Sequence, residues 1–169
     1  MSNTTFFPNL RIARDLKITT HKKKVVGGYK ESFCYGVSLD GRDLGSVSQD
    51  RACTGIDTTI SEADTKLLVD ALIAKGAFAD RVAEFGQLGI YLFAGCMIGE
   101  IIREEESLAK MKRRAKNHTL WVLYNSKPNE YFELKSAFSQ DFKQAVIMAN
   151  PAQTIAYFIN EDIASLEAL

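Results

Sequence analysis

The sequence predicts an α+β fold in which a largely antiparallel, curved sheet packs against or around a long apolar central helix. Hairpin patterns occur on both sides of the middle of the chain, and segments with helical spacing lie between them. The middle itself is an apolar block from Phe85 to Ile102, with no charge between Glu84 and Glu100. Hairpins join antiparallel strands, and such strands mixed with helices are typical of the α+β class.

Length and composition predict one globular domain over residues 1–169. The chain has 169 residues, of which 46% are hydrophobic and 25% charged, as is usual for a soluble protein. Its formal net charge is zero, so only a local patch can attract nucleic acid or an anionic membrane. The amino terminus lacks the pattern of a secretory signal, and three widely spaced cysteines favour reduced thiols. We expect a cytoplasmic protein without membrane association.

The first part of the chain predicts strands. Residues 10–20 alternate in part, with Ile12, Leu16 and Ile18 on one face, and are interpreted as an edge strand. The lysines in residues 21–24 then indicate a solvated turn, protection of a sheet edge or a phosphate contact.

The clearest local signal is a hairpin centred on Asp40 and Gly41. Residues 33–39 alternate between apolar and small polar side chains, as in a strand with one buried face. The Asp-Gly pair favours the type I′ turn that matches strand twist, so a second strand is expected to continue through Leu44 to Ser48.

A helix is predicted to begin at residues 59–62, whose sequence Thr-Ile-Ser-Glu matches a capping box with Thr59 as the cap. It is expected to stop at Lys75 and Gly76, since glycine adopts the left-handed conformation that ends helices.

The apolar block is predicted to form a helix that is buried all round. If unbroken, it would run from about Asp80 to Lys116, so we expect a kink or break near a glycine. Gly86 and Gly89 fall on one side of this helix, and Gly95 and Gly99 on the opposite side. They predict close approach of another backbone on both sides, from within the chain or from a second copy. A buried strand is the alternative, whereas a membrane span is disfavoured because the run is short and bounded by charges.

The last third of the chain predicts a second hairpin and two further helices. Residues 118–126 are apolar on both faces, which indicates a central strand, and a turn at 127–130 leads into the next strand. Ser139 is expected to cap a helix that ends before Asn150. A last strand over 154–159 and a final helix over 161–169 complete the chain.

The motifs of known chemistry are missing from this sequence. Its two histidines and three cysteines show no zinc-ligand spacing, and neither a phosphate-binding glycine loop nor Gly-x-Ser-x-Gly occurs. We therefore predict no metal and no cofactor, and whether the chain is an enzyme stays open.

Isolated residues remain as candidates for binding or chemistry. Cys53 precedes a predicted helix start, where a thiol pKa is lowered, and His118 is a candidate base for it. Asp43 belongs to a group of acids around the first hairpin that turn formation also explains. The cations in residues 110–118 either complement the helix dipole or contact phosphates, with Trp121, Tyr124 and Tyr131 nearby for stacking. The candidate residues are Lys112, Arg113, Arg114, Lys116, His118, Asp43 and Cys53.

These observations rank three functions. The first is a small soluble binding or regulatory protein that acts through a protein–protein interface and self-associates. The second is a small-molecule-binding protein or small enzyme with a pocket between the sheet and the central helix. The third is nucleic-acid binding through the basic segment 110–118.

Overall fold

The chain is described from a computed structural model, which describes residues 5–23, 33–49, 57–77, 89–127, 129–152 and 154–169. Strands and helices are mixed along the chain, and the strands pair antiparallel. The predicted α+β class with antiparallel sheets and a long helix is confirmed. The elements are α1 (Pro8–Asp15), β1 (Ile18–Lys22), β2 (Phe33–Leu39), β3 (Arg42–Gln49), β4 (Asp57–Thr58), α2 (Glu62–Ala74), α3 (Ile90–Ala115), β5 (Thr119–Leu123), β6 (Phe132–Leu134), α4 (Gln140–Ala149), β7 (Ile155–Phe158) and α5 (Ile159–Glu167).

The chain divides into two compact units, each with its own sheet. The first unit is Asn9–Glu104, and its sheet has the strand order β1-β2-β3-β4. The second unit combines Met1–Pro8 with Glu105–Leu169, and its sheet has the order β6-β5-β7. Helix α3 contributes residues to both units. A single domain over residues 1–169 stays a prediction.

The edge strand predicted over residues 10–20 is wrong in its first part, which forms α1. Leu10 and Ala13 are buried three positions apart, which is helical spacing. The free amides at the start of α1 are satisfied by Glu104, whose carboxylate accepts from the backbone amides of Asn9 and Leu10. Only the part from Ile18 onward is a strand, and it does lie at a sheet edge.

The hairpin of β2 and β3 forms as predicted. Asp40 and Gly41 have positive φ angles of 50° and 79°, as a type I′ turn requires. Tyr35, Val37 and Val47 are buried on one face of this sheet, and small polar side chains follow on the other. The first sheet is therefore amphipathic, with one face in the core.

Helix α2 has a different cap from the one predicted. Ser61, not Thr59, is the N-cap, and its hydroxyl accepts from the amide of Asp64 at 3.2 Å. Thr59 instead accepts from the amide of Ser46 in β3. The predicted stop is confirmed, because Gly76 has a φ of 80° and its amide donates to a carbonyl of the last helical turn.

Helix α3 is continuous over 26 residues from Ile90 to Ala115, so it has no break at Gly95 or Gly99, and it begins directly after Gly89. Burial on all sides is wrong, because Tyr91 and Leu92 are 41% and 37% exposed. A Cβ built at Gly99 meets nothing within 4 Å, so no described part of this chain packs closely there, and contact with a second copy stays a prediction. The predicted start near Asp80 lies outside the described residues.

The second sheet confirms the predicted order of the last third. Strand β5 is the central strand, with Leu120, Trp121 and Val122 buried. Trp121 packs with Phe158 of β7 and with Val146 of α4. Helix α4 is capped by Ser139 and ends at Ala149, as expected, and α5 packs on β5.

Candidate functional site

The second unit contains an open pocket of about 520 Å³ at the C-terminal end of α3. Most of its lining comes from the basic end of this helix, and Tyr131, which precedes β6, also contributes. We call it the basic pocket, and its lining residues are Lys110, Met111, Arg113, Arg114, Asn117, His118 and Tyr131. Cationic groups and apolar surface therefore meet in one depression.

Helical spacing brings the polar lining residues together. Lys110, Arg113, Arg114 and Asn117 follow the pattern i, i+3, i+4, i+7, which places them along one side of a helix. The amide of Asn117 donates to the carbonyl of Arg114 at 3.2 Å, so the turn continues past the last residue of α3. One helix face thus presents three cations and an amide.

Arg114 is held in place by Glu133 of β6. The guanidinium donates through Nε and Nη2 to the two carboxylate oxygens, with the Nη2 to Oε1 distance at 2.7 Å. These hydrogen bonds raise the pKa of Arg114 and lower the pKa of Glu133 from their ordinary values. The pair fixes one donor group at the pocket and neutralises much of its charge.

The other two cations on this face keep their charge uncompensated. Within the described residues, Lys110 and Arg113 form no ion pair. Arg113 donates through Nε to the carbonyl of Ala109 at 3.3 Å, a contact within its own helix that carries no opposite charge. A negatively charged ligand would supply the missing counter-charge.

His118 is oriented by two contacts. Its ring Nδ1 donates to the carbonyl of Arg114 at 3.2 Å, and its own carbonyl accepts from the side-chain amide of Asn160 at 3.0 Å. Asn160 also accepts from the amide of Leu120 at 2.7 Å, so α5 fixes the start of β5. The ring is therefore held beside the pocket, with Nδ1 hydrogen-bonded to Arg114 and Nε2 as its second hydrogen-bonding atom.

Tyr131 is supported by the amino-terminal segment of the same unit. The ring of Phe6 lies 6.2 Å from the ring of Tyr131 in an edge-to-face arrangement. The segment is fastened by Asp162 of α5, a side chain only 7% exposed, which accepts from the amide of Phe6 at 2.7 Å and from the hydroxyl of Thr5. The position of Tyr131 is thus tied to a buried hydrogen-bond network.

The basic residues predicted from the sequence separate into two groups. Arg113, Arg114 and His118 line the basic pocket. Lys112 instead forms an ion pair with Glu167 of α5 at 2.8 Å, and Lys116 is exposed outside the lining that the described residues provide.

The remaining candidates have no place in this pocket. Asp43 belongs to the first unit, where its carboxylate accepts from the amide of Gly45 at 3.0 Å, as an acid in a turn does. Cys53 lies outside the described residues, so its pairing with His118 stays a prediction. Cys34, in the first unit, has a free thiol.

Two lining residues, Asn117 and Met111, were not predicted as candidates from the sequence. Asn117 completes the helical face that begins at Lys110, and Met111 contributes apolar surface beside it. The i, i+3, i+4, i+7 spacing would have found Asn117 once the helix was assigned.

The part of the chain that the structure describes contains no cluster of three His, Cys, Asp or Glu side chains able to hold a metal ion. Among the same residues, no helix is long and apolar enough to cross a membrane.

Comparisons with protein-family models, curated proteins and solved structures find no match to this chain. We therefore infer function from the geometry and charge of the basic pocket.

Proposed function

We propose that this protein binds nucleic acid through the basic pocket at the end of α3. The observation that carries the proposal is the alignment of Lys110, Arg113 and Arg114 on one helix face beside His118. Phosphate contacts supply most of the sequence-independent affinity of nucleic-acid-binding proteins, and they come from grouped cations. The pocket provides such a group in a chain whose net charge is zero.

The distribution of ion pairs supports this proposal over a purely structural role for the cations. Cations near a helix C-terminus stabilise the helix dipole wherever they lie around the axis. Lys110 and Arg113 share the pocket face and, among the residues described, have no acidic partner, whereas Lys112 on another face has Glu167. A phosphate is the partner that would complete the charge pattern.

The test is a charge reversal of the pocket. We expect Lys110→Glu combined with Arg113→Glu to weaken binding of a labelled oligonucleotide by about 10-fold or more and to lower the salt slope by about 2, because each lost phosphate contact lowers it by about 1. Fluorescence anisotropy at several salt concentrations measures both quantities.

The matched control is Lys22→Glu combined with Lys66→Glu. Both lysines are exposed in the first unit, and this change alters the net charge equally. Wild-type affinity in this control supports the pocket as the binding site. Equal losses in both double variants would contradict it, and so would the lack of any salt-dependent binding by the wild-type protein.

A protein–protein interface with self-association is the second candidate function, favoured by the surface around β6. This strand lies at the edge of the second sheet, and edge strands offer unpaired backbone groups to other chains. Phe132 and Leu134 of β6 are 38% and 49% exposed. Exposed apolar side chains on an edge strand are typical of surfaces that bind a partner or a second copy.

Native mass spectrometry tests the second candidate. We expect a homo-oligomer in the wild-type protein and its loss in Leu134→Lys, because a charge opposes burial of the strand edge. The control is Leu67→Lys in α2, where the side chain is 50% exposed in the first unit. A monomer in the wild-type protein would contradict self-association.

We place either function in the cytoplasm. The free thiol of Cys34 supports this location, because reducing compartments keep thiols unpaired.

A further inference from the structure

We propose that the basic pocket accepts one nucleotide of a single strand, with the base against Tyr131 and the phosphate against Lys110 and Arg113. This inference rests on the proposed function and makes it more specific, since it names the form of nucleic acid and the residue that contacts the base. It makes Tyr131 the residue that distinguishes a base from a bare phosphate.

The composition of the lining fits a ligand that has both an anionic group and an apolar surface. A bare inorganic anion would use the cations alone, but the pocket also presents Met111 and the Tyr131 ring. A nucleotide combines a phosphate with a flat aromatic base, and bases stack on aromatic side chains in proteins that bind single strands. The lining matches those two parts.

The size of the pocket favours one unpaired nucleotide. Its volume of about 520 Å³ is in the range of small-ligand sites. A duplex keeps its bases stacked inside and offers mainly backbone phosphates to a surface of this kind. The ring of Tyr131 would then have no base face to contact.

Tyr131 is held ready for stacking. Phe6 is in an edge-to-face arrangement with it, so this neighbour covers at most one face of the Tyr131 ring. The bonds from Thr5 and Phe6 to Asp162 hold the supporting segment in place. A ring fixed in this way loses little conformational entropy when a base stacks on it.

Each polar side chain around the pocket is assigned to one part of the nucleotide. Lys110 and Arg113 have no acidic partner among the described residues, so they contact the phosphate, whereas Arg114 stays with Glu133. Asn117 and the Nε2 atom of His118 offer hydrogen bonds to the sugar or to a base edge.

The experiment compares three probes of equal length: oligothymidylate, an abasic deoxyribose-phosphate oligomer, and a duplex. Tyr131→Leu removes the aromatic face and keeps an apolar side chain beside Phe6, and Tyr131→Phe keeps the ring. We expect Tyr131→Leu to weaken binding of oligothymidylate by about 5- to 150-fold, because the loss of one stacked aromatic side chain lowers affinity by about that factor. Binding of the abasic oligomer should be unchanged, and Tyr131→Phe should bind oligothymidylate like the wild-type protein.

The outcomes separate this inference from the proposed function. If the Lys110→Glu and Arg113→Glu double variant loses oligothymidylate binding but Tyr131→Leu does not, the pocket binds nucleic acid and the stacking inference is overturned. Duplex binding as tight as single-strand binding also overturns the inference. If the wild-type protein binds none of the three probes, the proposed function fails as well. Unchanged Trp121 fluorescence in each variant verifies that the second unit is folded.

Discussion

In the first unit two carboxylates bond to the protein's own backbone and side chains, whereas in the second unit a group of cations faces a pocket. Glu104 accepts from the first amides of α1, and Asp64 accepts from the hydroxyl of Ser61, the N-cap of α2, and from Arg42. Lys110 and Arg113 of the second unit, by contrast, have no acidic partner among the described residues. These charges therefore stabilise the fold in the first unit and remain available to a ligand in the second.

This difference indicates where binding should be sought. A charge that already has a partner must lose that partner before it binds a ligand, and that loss reduces the affinity. The second unit also contains Asp162, whose buried carboxylate supports Phe6 and, through it, Tyr131. Asp162 therefore supports a residue of the pocket, whereas Glu104 and Asp64 bond within the first unit.

The largest expected effect comes from the two cores and tests whether the units unfold together. Leu68 of the first unit and Leu120 of the second are both 0% exposed, so replacing either by alanine should lower the free energy of unfolding by about 2 to 5 kcal/mol. The only tryptophan, Trp121, belongs to the second unit. A single domain predicts that Leu68→Ala lowers the urea midpoint of Trp121 fluorescence as much as that of circular dichroism.

Separate midpoints for the two signals in Leu68→Ala would contradict the single domain. The units would then unfold independently, and the comparison between them would extend to their stability.

The next largest effect on stability is expected from the loss of the carboxylates of Asp162 and Glu104. We expect Asp162→Ala to lower the free energy of unfolding by about 1.5 to 3 kcal/mol, since it leaves donors of Thr5 and Phe6 without their charged acceptor. It should also weaken oligothymidylate binding, because Tyr131 loses its fixed support. Glu104→Ala in the first unit should be destabilising by a similar amount while binding is retained.

Urea unfolding and anisotropy on the two variants measure this pair of effects. Equal binding by both variants would show that Asp162 has no influence on the pocket.

The pH dependence of stability separates two acids of the first unit. Burial raises the pKa of Glu104 in the folded protein from its ordinary 4.5. The resulting contribution to the free energy of unfolding is fully present at pH below the unfolded-state pKa, and it is lost as pH rises through the folded-state pKa. The stability of the wild-type protein relative to Glu104→Gln should therefore increase as pH falls from 7 toward 4.5. The hydrogen bonds from Ser61 and Arg42 lower the pKa of Asp64, whose contribution is lost only at pH below its ordinary 3.8.

Urea unfolding at a series of pH values measures the difference between wild type and Glu104→Gln. A constant difference from pH 7 to 4 would contradict the effect of burial on Glu104.

The smallest effect comes from a matched pair of buried threonines, both 0% exposed. In the second unit, the hydroxyl of Thr119 donates to the carbonyl of Ser136 at 3.0 Å, so Thr119→Val should lower the free energy of unfolding by about 1 kcal/mol. The hydroxyl of Thr65 in the first unit has no partner within the described residues, so Thr65→Val should be neutral or stabilising. Thermal unfolding compares the two, and equal losses would contradict the difference.

Local signals made much of the fold predictable. The Asp40-Gly41 turn, the Ser139 cap and the Gly76 stop each depend on a few adjacent residues, and each was found. Helix α1 was missed because its amides are satisfied by Glu104, a residue 94 positions from Leu10. A short segment carries no sign of a partner so far away in the sequence.

The sequence alone determined the α+β class, most element positions and the basic character of residues 110–118, because periodicity, caps and turns act over a few residues. Tertiary structure decided which cations face the basic pocket. Glu133 holds Arg114 and Glu167 pairs with Lys112, while Tyr131 is brought beside Lys110. Electrostatic attraction and packing depend on distance in space, and residues distant in sequence reach those distances only when the chain is folded.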